Sequence, residues 1–315
     1  MKKIASIDIG SYTARILIAE AAEAPMIFHP LDRDRRYIRL ADGFEKGGGL
    51  ELDPAAIART VETIGDFVSK IRQYKVDYIS AAATGVVRRA LNRKTLLDSI
   101  HNRTGVMARV ISGEEEARLT DLGVCNSLEL SGDWRIIFDL GGGSTEFIFT
   151  RGNQREFRSI PLGAMTLSQS IFTTDPPTDR MIHESSKKID RIIKKGLPDK
   201  IESKKPVIIG TGGTVTTLAA IANQVETQAI SHERLNQTRL SLNNITNIFH
   251  ELKKINVIER SKVAGLGKER ADVILAGSMA ILGILKYFNS QELFVSLSDI
   301  LEGLIIDHLK ENENE

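Results

Sequence analysis

Cysteine is nearly absent from the 315-residue chain: Cys125 stands alone, which excludes an internal disulfide and a cysteine-based zinc site and fits a reducing compartment. Histidine is sparse as well. The six histidines are scattered without ligand spacing, so neither a histidine-metal cluster nor a Ser-His-Asp order stands out. An excess of one charge is also missing, with 42 Lys and Arg against 41 Asp and Glu and a formal net charge of +1. Nothing in that balance calls for a nucleic acid polymer or an anionic membrane, and any anion site must be local. Long apolar runs are lacking too: the longest, Val273 to Leu285, covers 13 residues and contains two glycines, short of the roughly 18 expected of a membrane span. It reads as a buried core helix. The chain opens with a basic tip, but Asp8 interrupts the apolar run before a signal-peptide core could form. A cytoplasmic protein with no membrane segment is the expectation, its acidic Glu311 to Glu315 tail frayed in water.

What is present is an ordinary folding composition, 42% apolar and 26% charged, and at roughly 150 residues per domain the length suggests about two domains. Ile4 to Ile9 and Ala14 to Ala19 are short apolar runs around a Gly-Ser turn and read as a β-hairpin. A polar stretch containing Gly47-Gly48-Gly49 follows. From Asp53-Pro54 to Tyr74, apolar residues Ile57, Val61, Ile64, Val68 and Ile71 recur at helical spacing behind an Asp-Pro start signal. Val76 to Ala83 then reads as a strand, Lys94 to Thr104 as a helix, Val106 to Ile111 as a strand, and Gly113 to Leu128 as a helix opening with three glutamates. Such alternation favours a layered α/β domain with parallel pairing. Beyond residue 130, Pro206 to Ile209 reads as a strand, Val215 to Ala222 as a helix, Leu242 to Ile255, Lys268 to Tyr287 and Ser298 to Leu309 as helices, and Leu293 to Ser296 as a strand.

The segment after Arg135 repeats the start of the chain. Laying Asp8 on Asp139 puts Ile7 on Phe138, Gly10 on Gly141, Thr13 on Ser144 and Ile16-Leu17-Ile18 on Phe147-Ile148-Phe149. An offset this long is unsuited to a solenoid and fits two related lobes, each opening with a strand-turn-strand unit. We place the boundary near residue 130, giving lobes over 1–130 and 131–315, with the last helix able to pack back on the first lobe. A third glycine turn, Gly210 to Thr214, closes another strand.

Glycine turns at strand ends let the backbone approach a ligand and aim successive N–H groups at one point, which is how uncharged protein binds phosphate oxygens. Glycine also simply makes tight hairpins possible. Here the tips carry hydroxyls as well: Ser11 and Thr13 beside Gly10, Ser144 and Thr145 after Gly141-Gly142-Gly143, and Thr211 and Thr214 around Gly212-Gly213. Three decorated turns favour a polyanion. Asp8 and Asp139 occupy matching positions beside two of these turns, and a buried aspartate needs partners or a cation. Each reads either as a cap of its own turn or as a hard oxygen ligand for Mg2+, with Mn2+ as the alternative ion. Glu114, Glu115 and Glu116 lie in a first helical turn, where acidic residues ordinarily stabilise the helix dipole and where any one could instead be catalytic. Arg88 and Arg89, after Thr84-Gly85, could bind phosphate or lie solvated.

Five segments together resemble the exopolyphosphatase and guanosine pentaphosphate phosphohydrolase family, within the sugar kinase, heat-shock ATPase and actin-like superfamily. They are Ile7-Asp-Ile-Gly-Ser, Ala83-Thr-Gly-Val-Val-Arg-Arg-Ala-Leu-Asn, Ile111-Ser-Gly-Glu-Glu-Glu-Ala-Arg-Leu, Phe138-Asp-Leu-Gly-Gly-Gly-Ser-Thr-Glu and Ile209-Gly-Thr-Gly-Gly-Thr. The resemblance implies an α/β protein of two actin-like (ribonuclease H-like) lobes, each a mixed sheet flanked by helices, around an interdomain phosphate cleft. It places the catalytic base on Glu116, with Glu115 as the neighbouring candidate. Asp139 and Glu146 become the residues that hold Mg2+ or orient water, and Asp8 matches the first-turn aspartate. Arg88 and Arg270 become phosphate-gripping arginines. The implied substrates are inorganic polyphosphate, hydrolysed at its terminal phosphoanhydride, or guanosine pentaphosphate, and the implied assembly is a homodimer.

Two positions depart from the family pattern. Tyr12-Thr13 stands where the family has Asn-Ser, and Leu301-Glu302-Gly303 stands where it has Arg-Glu-Gly. The resemblance is to the short form of the family, without the C-terminal helical domain that helps longer members hold extended polyphosphate. Two other classes stay open at this point: a sensor that binds polyphosphate or nucleotide without cleaving it, and a kinase, suggested by the superfamily and the Gly210 to Thr214 turn.

Overall fold

The apolar run behind Met1 forms β1 (Lys2–Ile9) and the run behind Gly10-Ser11-Tyr12 forms β2 (Thr13–Ala22), so the expected hairpin is present, with Asp8 directly opposite Arg15. The computed structural model describes residues 1–22, 27–44, 50–128, 134–198 and 206–312; the Gly47-Gly48-Gly49 stretch, the boundary expected near residue 130 and the last residues of the acidic tail lie outside them. After β2 come β3 (Ile27–Tyr37), α1 (Pro54–Tyr74), β4 (Tyr78–Ala83), α2 (Val86–Arg89), α3 (Arg93–Thr104), β5 (Ala108–Val110) and α4 (Gly113–Ser127). The strands make one sheet in the order β3-β2-β1-β4-β5, with β1, β4 and β5 parallel and β2 and β3 antiparallel additions. Helix α1 starts where Asp53 accepts from the N–H groups of Ala55 and Ala56, with Pro54 at a position whose missing N–H leaves no bond unmade.

The second half runs β6 (Trp134–Leu140), β7 (Thr145–Arg151), β8 (Gln154–Ile160), α5 (Ala164–Ile171), α6 (Asp179–Gly196), β9 (Val207–Thr211), α7 (Gly213–Ala222), α8 (His232–Leu235), β10 (Arg239–Ser241), α9 (Leu242–Leu252), α10 (Val257–Arg260), α11 (Ile274–Tyr287) and β11 (Glu292–Val295). Its sheet has the order β10-β11-β9-β6-β7-β8, again with a parallel centre, β11, β9 and β6, and antiparallel flanks. The final helix, α12 (Ile300–Asn312), belongs to the first sheet. The chain thus forms two compact units, Met1–Asn126 with Ser298–Glu315, and Ser127–Leu297. Each is a mixed sheet with flanking helices, the α/β architecture that the resemblance implies. Among the described residues no helix is long and apolar enough to cross a membrane.

Burial follows the pattern of the sequence. In the first unit Ile4, Leu17, Ala19 and Ala21 pack on Leu301, Ile305 and Leu309 of α12, and Ala82, Ile111 and Leu119 pack on Ile300 and Leu304. The second unit builds its core around Phe138, Phe147, Leu218, Ile281 and Leu285, and the Val273 to Leu285 run lies within it largely as the buried helix α11.

Parallel pairing aligns strand ends, and this decides where loops gather. In the first unit Ile9 pairs with Ala83 and Ala83 with Val110, so Gly10-Ser11-Tyr12, Thr84-Gly85 and Ile111-Ser112 leave the sheet at one edge. In the second unit Asp139 pairs with Thr211, and Gly210 with Val295, so the Gly141 to Ser144 and Gly212-Gly213 turns also share an edge. In both units this is the carboxyl edge of the parallel strands, where open α/β sheets bind ligands.

Candidate functional site

The first glycine turn closes through the Gly10 N–H, which donates to the Thr13 carbonyl at 3.0 Å. Ser11 is buried, and its hydroxyl oxygen accepts from the Val86 N–H at 2.9 Å, tying this turn to the loop after β4. That loop can come so near only because residue 85 is glycine: its φ is +52°, and a Cβ there would lie 2.3 Å from Ser11 Oγ. Tyr12 is turned inward at 4% exposure, its ring edge against Tyr37 and its hydroxyl accepting from Arg39 at 3.3 Å. Gly10 and Thr13 are the partly exposed members of the turn.

Asp8, just before that turn, is 4% exposed. Arg15 donates to its Oδ2 from Nε at 2.9 Å and Nη2 at 2.7 Å, and Thr84 donates to Oδ1 at 3.4 Å. The third nitrogen of Arg15 donates to Asp299, the residue that caps α12: Asp299 Oδ1 accepts from the Leu301 N–H, while Glu302 accepts from the Asp299 N–H. Burial pushes the Asp8 carboxyl above its ordinary range against the opposing pull of Arg15. Asp299, against the same upward pull of burial, is held below its ordinary value by Arg15 and Arg33. The first-turn aspartate, grouped by sequence with the cation ligands, thus sits in an ion-paired network. Arg15 and Asp299 were not singled out from sequence, although the superposition that lays Asp8 on Asp139 also lays Arg15 on Glu146.

The three glutamates of α4 separate by burial. Glu114 is exposed, Glu115 is half-buried and accepts from Arg109 at 3.3 Å, and Glu116 is buried. Arg88 donates to Glu116 Oε2 at 3.0 Å and to the Ile111 carbonyl at 3.2 Å. The arginine pair divides in the same way, since Arg89 lies over the Phe44 ring with its guanidinium carbon 5.1 Å from the centroid. Ser112 caps α4 by accepting from the Glu115 N–H at 3.0 Å.

The second unit repeats the turn, with the Gly141 N–H donating to the Ser144 carbonyl at 3.0 Å. The Gly141 and Gly142 carbonyls accept from the first N–H groups of α5: Ala164 to Gly141 at 3.0 Å, and Met165 and Thr166 to Gly142 at 3.0 and 3.1 Å. In a planar trans peptide the N–H points opposite to its carbonyl, so the Gly142 and Gly143 N–H groups are aimed away from α5. Gly163 permits this approach, because a Cβ there would lie 2.3 Å from the Gly142 carbonyl oxygen. Thr145 is fully buried and donates its hydroxyl to the Leu162 carbonyl, whereas Ser144 is partly exposed.

Asp139 and Glu146 are directly opposite one another on β6 and β7, 8% and 1% exposed, so their side chains share one face of the sheet. Ser159, opposite Glu146 on β8, donates to its Oε1 at 2.7 Å. The third turn lies against them: a Cβ on Gly212, whose φ is +93°, would be 2.6 Å from Asp139 Oδ1. At the next residue a Cβ on Gly213 would be 1.8 Å from an Arg270 nitrogen, so this guanidinium rests on the turn backbone. Thr214 is buried beneath Gly277 of α11. Two adjoining buried carboxylates suit Mg2+, which takes one or two carboxylates from protein and completes its shell with phosphate oxygens and water. Among the described residues no group of three or more His, Cys, Asp or Glu is arranged to hold a metal ion.

Residues 17–312 match the model of the Ppx/GppA phosphatase family. Exopolyphosphatase 2 of Mycobacterium tuberculosis is 26% identical over 317 residues, which take in 97% of this chain and 98% of that protein. The structure of the Aquifex aeolicus Ppx/GppA family member is 30% identical, with a TM-score of 0.81 over 100% of this chain and 99% of the other. That of an exopolyphosphatase from Cytophaga hutchinsonii is 25% identical, with a TM-score of 0.86 over 98% of each.

Proposed function

This chain belongs to the Ppx/GppA phosphatase family, and we propose that within it the protein is an exopolyphosphatase, hydrolysing the terminal phosphoanhydride of inorganic polyphosphate to release orthophosphate. The observation that carries this reading is Glu116. It is the buried one of three adjacent glutamates, held by Arg88 at the strand-end edge that also bears the Gly10 turn. A carboxylate so placed can accept a proton from a water attacking phosphorus, and the partly exposed glycine turns supply N–H groups of the kind that bind phosphate oxygens. Near full-length similarity to proteins named exopolyphosphatase supports polyphosphate as the substrate.

In this mechanism Glu116 takes the proton of the attacking water, and Arg88 positions Glu116. The N–H groups of Gly142 and Gly143, together with Ser144, bind phosphate oxygens, and Arg270 offsets phosphate charge at the Gly212-Gly213 turn. Asp139 and Glu146 would hold Mg2+, which when bound neutralises charge on the phosphoryl group. Catalysis is mostly positional and electrostatic, as suits a loose phosphoryl-transfer transition state.

The test is orthophosphate release from long polyphosphate, short polyphosphate and guanosine pentaphosphate, each with Mg2+ and with Mn2+. Release from polyphosphate with the highest kcat/KM is expected. Preference for guanosine pentaphosphate would reassign the substrate within the same chemistry. Tight polyphosphate binding with no release under any of these conditions would make the protein a sensor, and ATP-dependent phosphorylation of an acceptor would make it a kinase.

A further inference from the structure

Arg270 reaches the Gly212-Gly213 turn from a segment with little regular structure of its own. Lys268–Arg270 is a single three-residue turn of 3-10 helix, a form with poorer hydrogen-bond geometry than an α-helix, so its place depends on what holds it. The two carbonyls that follow Arg270 are both taken by side chains from other elements: Arg260 of α10 donates Nη1 to the Ala271 carbonyl at 2.8 Å, and Ser168 of α5 donates its hydroxyl to the Asp272 carbonyl at 2.7 Å. Arg260 is 3% exposed. Its Nε donates to the Ile255 carbonyl at 3.1 Å and its Nη2 pairs with Asp175, whose second carboxylate oxygen accepts from the Val257 N–H at the start of α10. With every nitrogen engaged inside the protein, this guanidinium braces the chain. Helix α5 is fixed in turn on the second glycine turn, through the bonds from Ala164, Met165 and Thr166 to Gly141 and Gly142. One set of contacts within the second unit therefore locates Arg270 relative to both of that unit's glycine turns.

We propose that Arg260 and Ser168 are positioning residues for Arg270: they clamp the backbone beside it, so that its guanidinium is held on the Gly212-Gly213 turn before an anion arrives. The proposal rests on the reading of Arg270 as a phosphate-binding residue given above. Preorganisation is what the clamp supplies. A loose arginine would give up side-chain and backbone freedom each time it gripped a phosphate oxygen, and that entropy cost would weaken binding, whereas a clamped one has given it up already on folding. Arginine suits position 260 because a planar fork reaches several acceptors in fixed directions, while a lysine keeps the charge but presents a single nitrogen.

The probe is methylenediphosphonate, a phosphoanhydride mimic whose P–C–P link is not hydrolysed, titrated calorimetrically into the full chain at one fixed Mg2+ concentration. Arg270→Ala is expected to weaken its binding. Arg260→Lys should weaken it by about tenfold on its own and by less than about twofold beside Arg270→Ala, a coupling within the usual span for residues that act through one another. Ser168→Ala should show the same pattern with a smaller loss, about threefold. A role in folding alone would lower the melting temperature and leave the affinity where it was. The proposal is overturned if the unaltered protein does not bind the diphosphonate, if either folded variant binds it as the unaltered protein does, if their losses persist beside Arg270→Ala, or if Arg270→Ala itself changes nothing. Circular dichroism checks each fold, and should Arg260→Lys not fold, the Ser168→Ala cycle decides. The titration needs no turnover: failure to release phosphate from polyphosphate would sink the functional reading and leave the clamp to its own measurement, whereas normal hydrolysis with additive losses of affinity would sink the clamp alone.

Discussion

Glu116 shows what a single side chain needs in order to act as a base. Its two neighbours in α4 have the same chemistry and nearly the same position in sequence, yet only Glu116 is buried against Arg88. Replacing it with glutamine keeps the shape and removes the proton acceptor. Glu116→Gln is therefore expected to lower kcat by roughly a hundredfold to ten-thousandfold, with little change in polyphosphate affinity. Phosphate-release kinetics and direct binding on the same preparation check it, and near-normal turnover would remove the base assignment. The glutamate trio and the arginine pair were legible in the sequence as candidates, but which member faces inward depends on helix rotation. The two positions that depart from the family pattern resolve as packing. Tyr12 is buried against Tyr37 and bound by Arg39, and Leu301 joins the core beneath β1 and β2.

Elements bring those residues into place, and α4 depends on α12 to do so. A Cβ on Gly303 would lie 1.9 Å from the Leu119 carbonyl oxygen, and one on Gly123 would lie 2.0 Å from the Asp299 carbonyl oxygen, so the two helices meet backbone to backbone. Adding a methyl group forces them apart. Gly303→Ala is expected to destabilise the first unit by about 1–3 kcal/mol, the usual range for overpacking, and to lower kcat because α4 carries Glu116. Denaturant unfolding monitored beside activity checks this, and unchanged stability would mean that the helices can separate freely. Helix α1 could be read directly from its apolar spacing and Asp-Pro start, and the β1–β2 hairpin from its paired runs. Strand β3, with the sequence Ile-Phe-His-Pro-Leu-Asp-Arg-Asp-Arg-Arg-Tyr, escaped that reading because it is an edge strand rich in charge and carrying a proline, features that suit a sheet margin but mimic a loop. Helix α6 was also left out, although Ser185, Ile189 and Ile193, each one helical turn apart, are its buried residues, and the two isoleucines carried a usable signal.

For the whole molecule, the arrangement of the chain matters as much as the repeat. The second unit is one continuous stretch, whereas the first takes its last helix from the far end of the sequence. Deleting Ser298 to Glu315 would expose Ile4, Leu17, Ala19 and Ala21 and remove the Asp299 partner of Arg15. Limited proteolysis of that deletion should digest residues 1–126 while sparing a fragment over 127–297. Equal protection of both would show that α12 is dispensable. By itself the sequence determined the kind of fold, the duplication, the three glycine turns and the short list of charged residues beside them, because apolar periodicity and glycine chemistry are local properties. Only the tertiary structure decided which glutamate is buried, that Asp8 is clasped by Arg15 while Asp139 faces Glu146, and that the final helix caps the first unit. Those outcomes depend on strand register and helix rotation, which are set by contacts between residues as far apart as Arg15 and Asp299.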